Sequence, residues 1–233
     1  MSANPEALER TVIGEHAQAA LRSLMQVWFD FERELAQVPI LRKLLDGRFA
    51  KEDYRTLLLN LRQQVIEGSR WISRSASSFD RDFSDVRSEV IGHARDEHRD
   101  YEMLEKDFVA AGGDLDAIRG RERNLGSEAL HGYLMYRASR PNPVELLGAM
   151  WIIEGLGEKM ANDWAGRIDE QTGLDGATRF LKYHGENDDD HLSKLYQLLD
   201  RVCVDEATVA QIVKCAQVVA RLYRLQLEEV TRG

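Results

Sequence analysis

Cysteine is scarce in this chain of 233 residues. Cys203 and Cys215 are the two present, too few for a disulfide framework, and a reducing cytoplasm is the expected compartment. Proline is nearly as rare. Pro5, Pro39, Pro141 and Pro143 leave residues 40–140 and 144–233 without one. Basic charge is outnumbered, with 31 Lys and Arg against 40 Asp and Glu for a net charge of −9. Non-specific nucleic-acid binding needs a basic face that displaces counterions, so no nucleic-acid partner is expected. No apolar run approaches the roughly 20 residues that span a bilayer, so no membrane partner is expected either. The first sixteen residues, MSANPEALERTVIGEH, carry acids and no apolar signal core, which gives no indication of secretion.

What the sequence has is helix-forming material. Hydrophobic residues make up 43%, enough for a sizeable core. Long proline-free stretches rich in Leu, Ala, Glu and Arg favour helix. No window sustains the period-two alternation of a strand. The fold class expected is all-α, a single helical bundle domain over residues 1–233 with seven to eight helices. The punctuation places them at about 6–37, 40–45, 51–79, 84–111, 126–138, 142–173, 176–201 and 205–230. Asp46-Gly47 and Gly112-Gly113 are stop signals. Asn142-Pro143-Val144-Glu145 reads as a start, with Asn as cap and Pro at the first position, and Asp205 is a good cap for the last helix.

Three constellations carry chemistry. In Tyr183-His184-Gly185-Glu186-Asn187-Asp188-Asp189-Asp190-His191, the residues His184, Asp188 and His191 are spaced i, i+4, i+7. At about 100° per residue they lie within roughly 40° of one another, presenting imidazole, carboxylate and imidazole on one helix face. That mix suits iron, manganese or zinc; the bland alternative is a solvated surface where histidines fall by chance. His93, Glu97 and Asp100 repeat the spacing. The apolar line Val86, Val90, Ala94, Tyr101, Leu104 and Phe108 passes through Glu97, so this carboxylate should face the core, where it needs a partner or a metal. The alternative is a charged helix surface laced with local ion pairs.

The third is Glu154, which closes the apolar run Leu146-Leu147-Gly148-Ala149-Met150-Trp151-Ile152-Ile153. A helix apolar on all sides is buried, and a buried glutamate is salt-bridged, protonated or metal-bound. Glu67 and Glu158 are weaker candidates for ligand or pocket. Trp71, Trp151 and Tyr183 are candidates for pocket walls, although aromatics at helical spacing are more often plain core. Carboxylates and histidines converging from several helices are the recipe for a dinuclear site in a bundle core.

With these residues in place, the sequence resembles the haem-oxygenase-like di-iron oxidases, within the superfamily that includes thiaminase II-like proteins and pyrroloquinoline-quinone synthase. His184-x3-Asp188-x2-His191 matches that family's last core helix, and Glu154 matches the lone glutamate of its middle core helix. On the first core helix the family usually has Glu-x6-His or Glu-x2-His. Here Glu97 holds the glutamate place of the shorter pattern and Asp100 the histidine place, while His93 stands where the longer pattern has glutamate. The resemblance implies iron as cofactor, two ions with the second site the weaker. It also implies an oxidoreductase that uses dioxygen to oxidise or cleave a small metabolite, such as an amino-acid or fatty-acid derivative. An external electron donor and a homodimer are further implications. The family's last core helix orders on metal binding; Gly185 and the acidic run at 186–190 fit this, since stacked carboxylates repel.

Two other classes compete. A metal-free enzyme of the same fold, of thiaminase II-like kind, would need a nucleophilic cysteine facing the pocket, and neither Cys203 nor Cys215 lies near the acidic and histidine clusters. A non-catalytic helical scaffold would tolerate replacement of His184 and His191. Arg62, Arg70, Arg74 and Arg95 are candidates for holding a substrate carboxylate.

Overall fold

The computed structural model of the protein describes residues 14–231, with the side chains of 187–193 and 231 outside the described set. Among the described residues there are helices and loops and no strand. The first helix, α1 (Glu15–Leu35), buries Ala17, Ala20, Leu24, Val27, Trp28, Phe31 and Leu35, the three-four spacing of a helix with one apolar stripe. The part of the expected first helix before Gly14 lies outside the described residues. Pro39 opens α2 (Pro39–Leu45) at its first position, where its missing N–H costs nothing.

Two helices expected as continuous are each divided. Residues 51–79 form α3 (Lys51–Val65) and α4 (Gly68–Ala76), separated at Ile66 and Glu67. Residues 84–111 form α5 (Ser84–Glu97) and α6 (Tyr101–Ala110), separated by a turn at 98–100. A short α7 (Leu115–Gly120), absent from the expected set, is capped by Asp114, which accepts from the Ala117 amide at 3.1 Å. Asn124 caps α8 (Leu125–Ala138) in the same way.

The expected cap at Asn142 is not one. Asn142 has φ +47°; its carbonyl accepts from the Asp80 amide and its NH₂ donates to the Asp80 carboxylate. It ties two loops together, and α9 (Leu146–Leu156) starts four residues later. A π-helical turn, Gly157–Ala161, leads into α10 (Asn162–Thr172), which stops at the left-handed Gly173. The remaining helices are α11 (Arg179–Val202) and α12 (Glu206–Glu228), the latter capped by Asp205 as expected.

α12 is the axis of the bundle, with α1, α8 and α9 packed on it. Two approaches are backbone to backbone. A Cβ at Gly148 of α9 would meet the Ile212 carbonyl at 2.1 Å, and one at Gly126 of α8 would meet the Gln226 amide at 2.3 Å. The apolar sequence of α9 is thereby covered on nearly every side, and its one charged residue, Glu154, is carried inside. α11 packs across α9, the π turn, α10 and α6, which brings its His184 to the same place.

Candidate metal centre

Glu154 is 6% exposed. Gly155 beside it lets α1 close in, since a Cβ there would touch the Trp28 ring at 2.9 Å. One turn apart on α5, His93 and Glu97 face the same helix. His93 Nε2 lies 3.1 Å from Glu154 Oε1. The chain turns after Glu97, and Asp100, itself buried, addresses α11 instead: its Oδ2 lies 3.2 Å from His184 Nε2. His184 is buried, with the Phe180 ring at 4.5 Å and the Tyr183 ring edge-on at 5.3 Å.

These five residues form two trios, His93–Glu97–Glu154 and Glu97–Asp100–His184, each with ligand atoms within 4.8 Å of one another. Glu97 belongs to both. Its carboxyl is pushed up to about 7, first by burial and then by the charge of Glu154, with Asp100 adding to the effect and His184 and His93 opposing it. Carboxylates crowded in this way lack enough positive charge. Asp100 Oδ2 is buried and makes no hydrogen bond, although it faces an imidazole nitrogen at 3.2 Å. Carboxylate oxygens and imidazole nitrogens converging within this range fit a first-row metal ion.

Two contacts hold α11 on either side of His184. Asp107 of α6 accepts from the Phe180 amide at 2.9 Å; burial raises its carboxyl to about 6 despite that bond. Asn162 of α10 donates to the Gly185 carbonyl at 2.8 Å, and the two helices are so close there that a Cβ at Gly185 would lie 2.4 Å from the Asn162 side chain. Neither contact was expected from sequence. Gly185, a helix-interior glycine beside a histidine, is the local signal that something approaches closely.

A cavity of about 90 Å³ opens onto Glu97, Glu154 and His184. Its other described walls are apolar, among them Leu57, Trp71, Leu104, Trp164, Phe180 and Tyr223, with Gln64 and, among the described residues, no lysine or arginine.

The other candidates fall as follows. Asp188 and His191 are on α11 beyond His184, and their side chains lie outside the described residues. Glu67 joins neither trio. Its carboxylate is taken by Arg123 and by Arg70 at 3.1 Å, with His131 at 3.8 Å, so it is a structural acid between α4 and α8. Glu158, in the π turn, pairs with Lys159 through one oxygen while the other is buried without a hydrogen bond; it too is in neither trio. Trp71 does line the cavity. Trp151 is core: its indole N–H donates to the Leu24 carbonyl and its ring packs edge-on against Tyr196. Tyr183 is exposed, with its ring edge-on to His184. Arg62 is paired with Glu105, Arg70 with Glu67, Arg74 with Ser139 and Arg95 with Asp96.

Comparison with known proteins accords with this geometry. Several solved structures share the fold. A domain of unknown function from Shewanella denitrificans OS217 with a haem-oxygenase-like fold superposes with a TM-score of 0.85 at 20% identity, over 91% of this chain and 92% of that one. A TenA homologue from P. horikoshii OT3 gives 0.71 at 16% identity, over 94% and 99%. A TenA homologue from Pseudomonas syringae pv. tomato str. DC3000 gives 0.74 at 12% identity, over 100% and 99%. At these identities the likeness establishes the haem-oxygenase-like fold and nothing finer. No curated protein matches at a significant level. The sequence profile of the iron-containing redox enzymes covers residues 69–224, a span that holds all five converging candidate ligands, and the chain belongs to that family.

Proposed function

We propose that the protein is an iron- and dioxygen-dependent oxidoreductase acting on a small metabolite whose reacting part is apolar. The carrying observation is the pair of His–carboxylate trios that share Glu97. His93, Glu97, Glu154, Asp100 and His184 would hold the metal, joined from α11 by Asp188 and His191. Iron bound there supplies the binding and reduction of dioxygen, chemistry that side chains alone cannot perform. The protein's part is placement. The apolar cavity excludes water and presents substrate to the Glu97–Glu154–His184 wall. Among the described residues that lining holds no lysine or arginine, so a substrate carboxylate has no side-chain cation to pair with inside it. Reduction of dioxygen beyond the substrate's own electrons calls for an external donor.

The cysteines weigh against the hydrolytic reading in the same fold. Cys203 and Cys215 are both buried, and burial pushes their thiols up to about 11 and about 12, the reverse of an activated nucleophile. Neither lines the apolar cavity.

The test is anaerobic titration with ferrous iron followed by metal analysis and admission of dioxygen. The expected result is about two irons per chain, as a dinuclear bundle site holds, with oxygen uptake that follows iron oxidation. A chain that takes up no iron, and whose thermal melt ignores chelators, refutes the proposal.

A further inference from the structure

Glu154 lines a second cavity, of about 200 Å³. His93 lines this one and not the first, whereas Glu97 and His184 line the first and not this one. The centre is therefore reached by two different spaces. Apart from Glu97, Glu154, His184 and Gln64, the described walls of the first are apolar and aromatic. The second has the exposed charged side chains Glu89, Asp96, Arg95 and Lys194 around it, Arg95 paired with Asp96, and the two candidate ligands His93 and Glu154 in it.

The first space is the less favourable route for a hydrated divalent cation. Beyond those four polar residues, along the apolar remainder of its described lining, the ion would shed water without compensation, and uncompensated desolvation of an ion is severe. In the second space water and charged groups accompany it until an imidazole and a carboxylate take over. Gly92 forms part of that wall. It sits inside α5 with ordinary helical backbone, and among the described residues no atom beyond its own helix backbone and chain neighbours lies within 4 Å of where its Cβ would be. Glycine in a helix interior is destabilising relative to alanine, and here neither a turn nor a close approach requires it. Its visible consequence is an open wall.

Resting on the reading of the centre as a metal site, we propose that the second cavity is the port through which the hydrated metal ion enters. Gly92 keeps the port open. The His93–Glu97–Glu154 trio fills first, and the Glu97–Asp100–His184 trio fills through it.

The experiment follows uptake of cobalt(II) by its visible absorption in stopped flow, and release of cobalt to excess chelator, in the full chain and in two variants. Gly92→Leu places a side chain in the polar cavity. Gly68→Leu does the same in the apolar cavity, where Gly68 is equally free of neighbours. A blocked port slows entry and exit alike and leaves their ratio alone, so Gly92→Leu is expected to slow both by about tenfold or more with Kd unchanged. Gly68→Leu is expected to leave both rates at the wild-type values. Wild-type rates in Gly92→Leu, or slowed uptake in Gly68→Leu, overturn the port while leaving the centre standing. Failure of the unsubstituted protein to take up cobalt removes the centre and the port together.

Discussion

Substitution of Gly148 by alanine separates two opposed expectations. Judged by helix propensity alone, Gly→Ala inside α9 should stabilise by about 1 kcal/mol. The fold demands the contrary. The new Cβ would stand 2.1 Å from the Ile212 carbonyl oxygen and 2.9 Å from the Ala216 amide nitrogen. Both are backbone atoms of α12 and cannot rotate aside. Reaching ordinary contact at 3.4 Å requires the two helices to part by more than about 1 Å, and overpacking of this kind costs about 1–3 kcal/mol or more. In a chain of this length each kcal/mol is worth about 2–4 °C, so the melting temperature should fall by roughly 2–12 °C. The displacement reaches the site as well. Glu154 lies six residues further, about 9 Å along the same helix, and its 3.1 Å approach to His93 leaves no slack for a shift of that size. Thermal denaturation by circular dichroism, run beside cobalt affinity, reads both effects. Gly166→Ala is the control: exposed on α10 with nothing within 4 Å, it should melt at or above the wild-type temperature. A Gly148→Ala protein that also melts at or above that temperature refutes the backbone contact and, with it, the account of how Glu154 is aimed.

Three further outcomes are expected. Glu97→Ala removes the residue common to both trios and should abolish tight metal binding, whereas His93→Ala leaves Glu97–Asp100–His184 intact and should retain about one ion per chain, read by elemental analysis after desalting. Asp107 carries a pH signature. Its folded-state value of about 6 stands above its ordinary 3.8, so the folded chain holds this proton longer than the unfolded one. The buried charge costs nothing below about pH 4, where both states are protonated. Its cost grows as pH rises to 6 and is constant above, at roughly 3 kcal/mol; Asp107→Asn should flatten that fall in urea midpoint between pH 4 and 6. Glu105→Gln leaves the Arg62 guanidinium, now paired at 2.7 Å with both side chains under a tenth exposed, buried without its counter-charge, and should cost about 3–5 kcal/mol in urea denaturation.

What the sequence discloses here is what local physics decides. Scarce proline gives helices, the caps at Asp205 and Gly112 give ends, and an apolar run closed by one acid gives Glu154 as an interior carboxylate. His184 and Glu97 were legible because their spacing fixes a face. The misreadings share a cause. Asn142 has the composition of a cap, but its partner Asp80 lies 62 residues away. Glu67 has the look of a pocket acid, but Arg123 lies 56 residues away. Asp107 and Asn162 were overlooked because what they grip, the start of α11, is distant in the chain. No local pattern contains a partner brought in by tertiary folding.

The break between α5 and α6 follows the same logic and explains the form of the site. Nothing in Glu97-His98-Arg99-Asp100 forbids helix; there is no glycine or proline. Were the helix continuous, His93 and Asp100 would share a stripe yet stand about 10 Å apart along its axis, a ladder rather than a cage. The turn at 98–100 divides the ladder. His93 and Glu97 stay with α9 and Glu154, Asp100 swings to α11 and His184, and Glu97 at the end of α5 is left touching both. The π turn that follows Glu154, against α11, is a second interruption at the same place, the kind of irregularity that helices carry at functional sites. A continuous α-helix optimises its own hydrogen bonds. Here two of the three segments that carry the candidate ligands depart from one where those side chains meet, and the meeting is what the departure achieves.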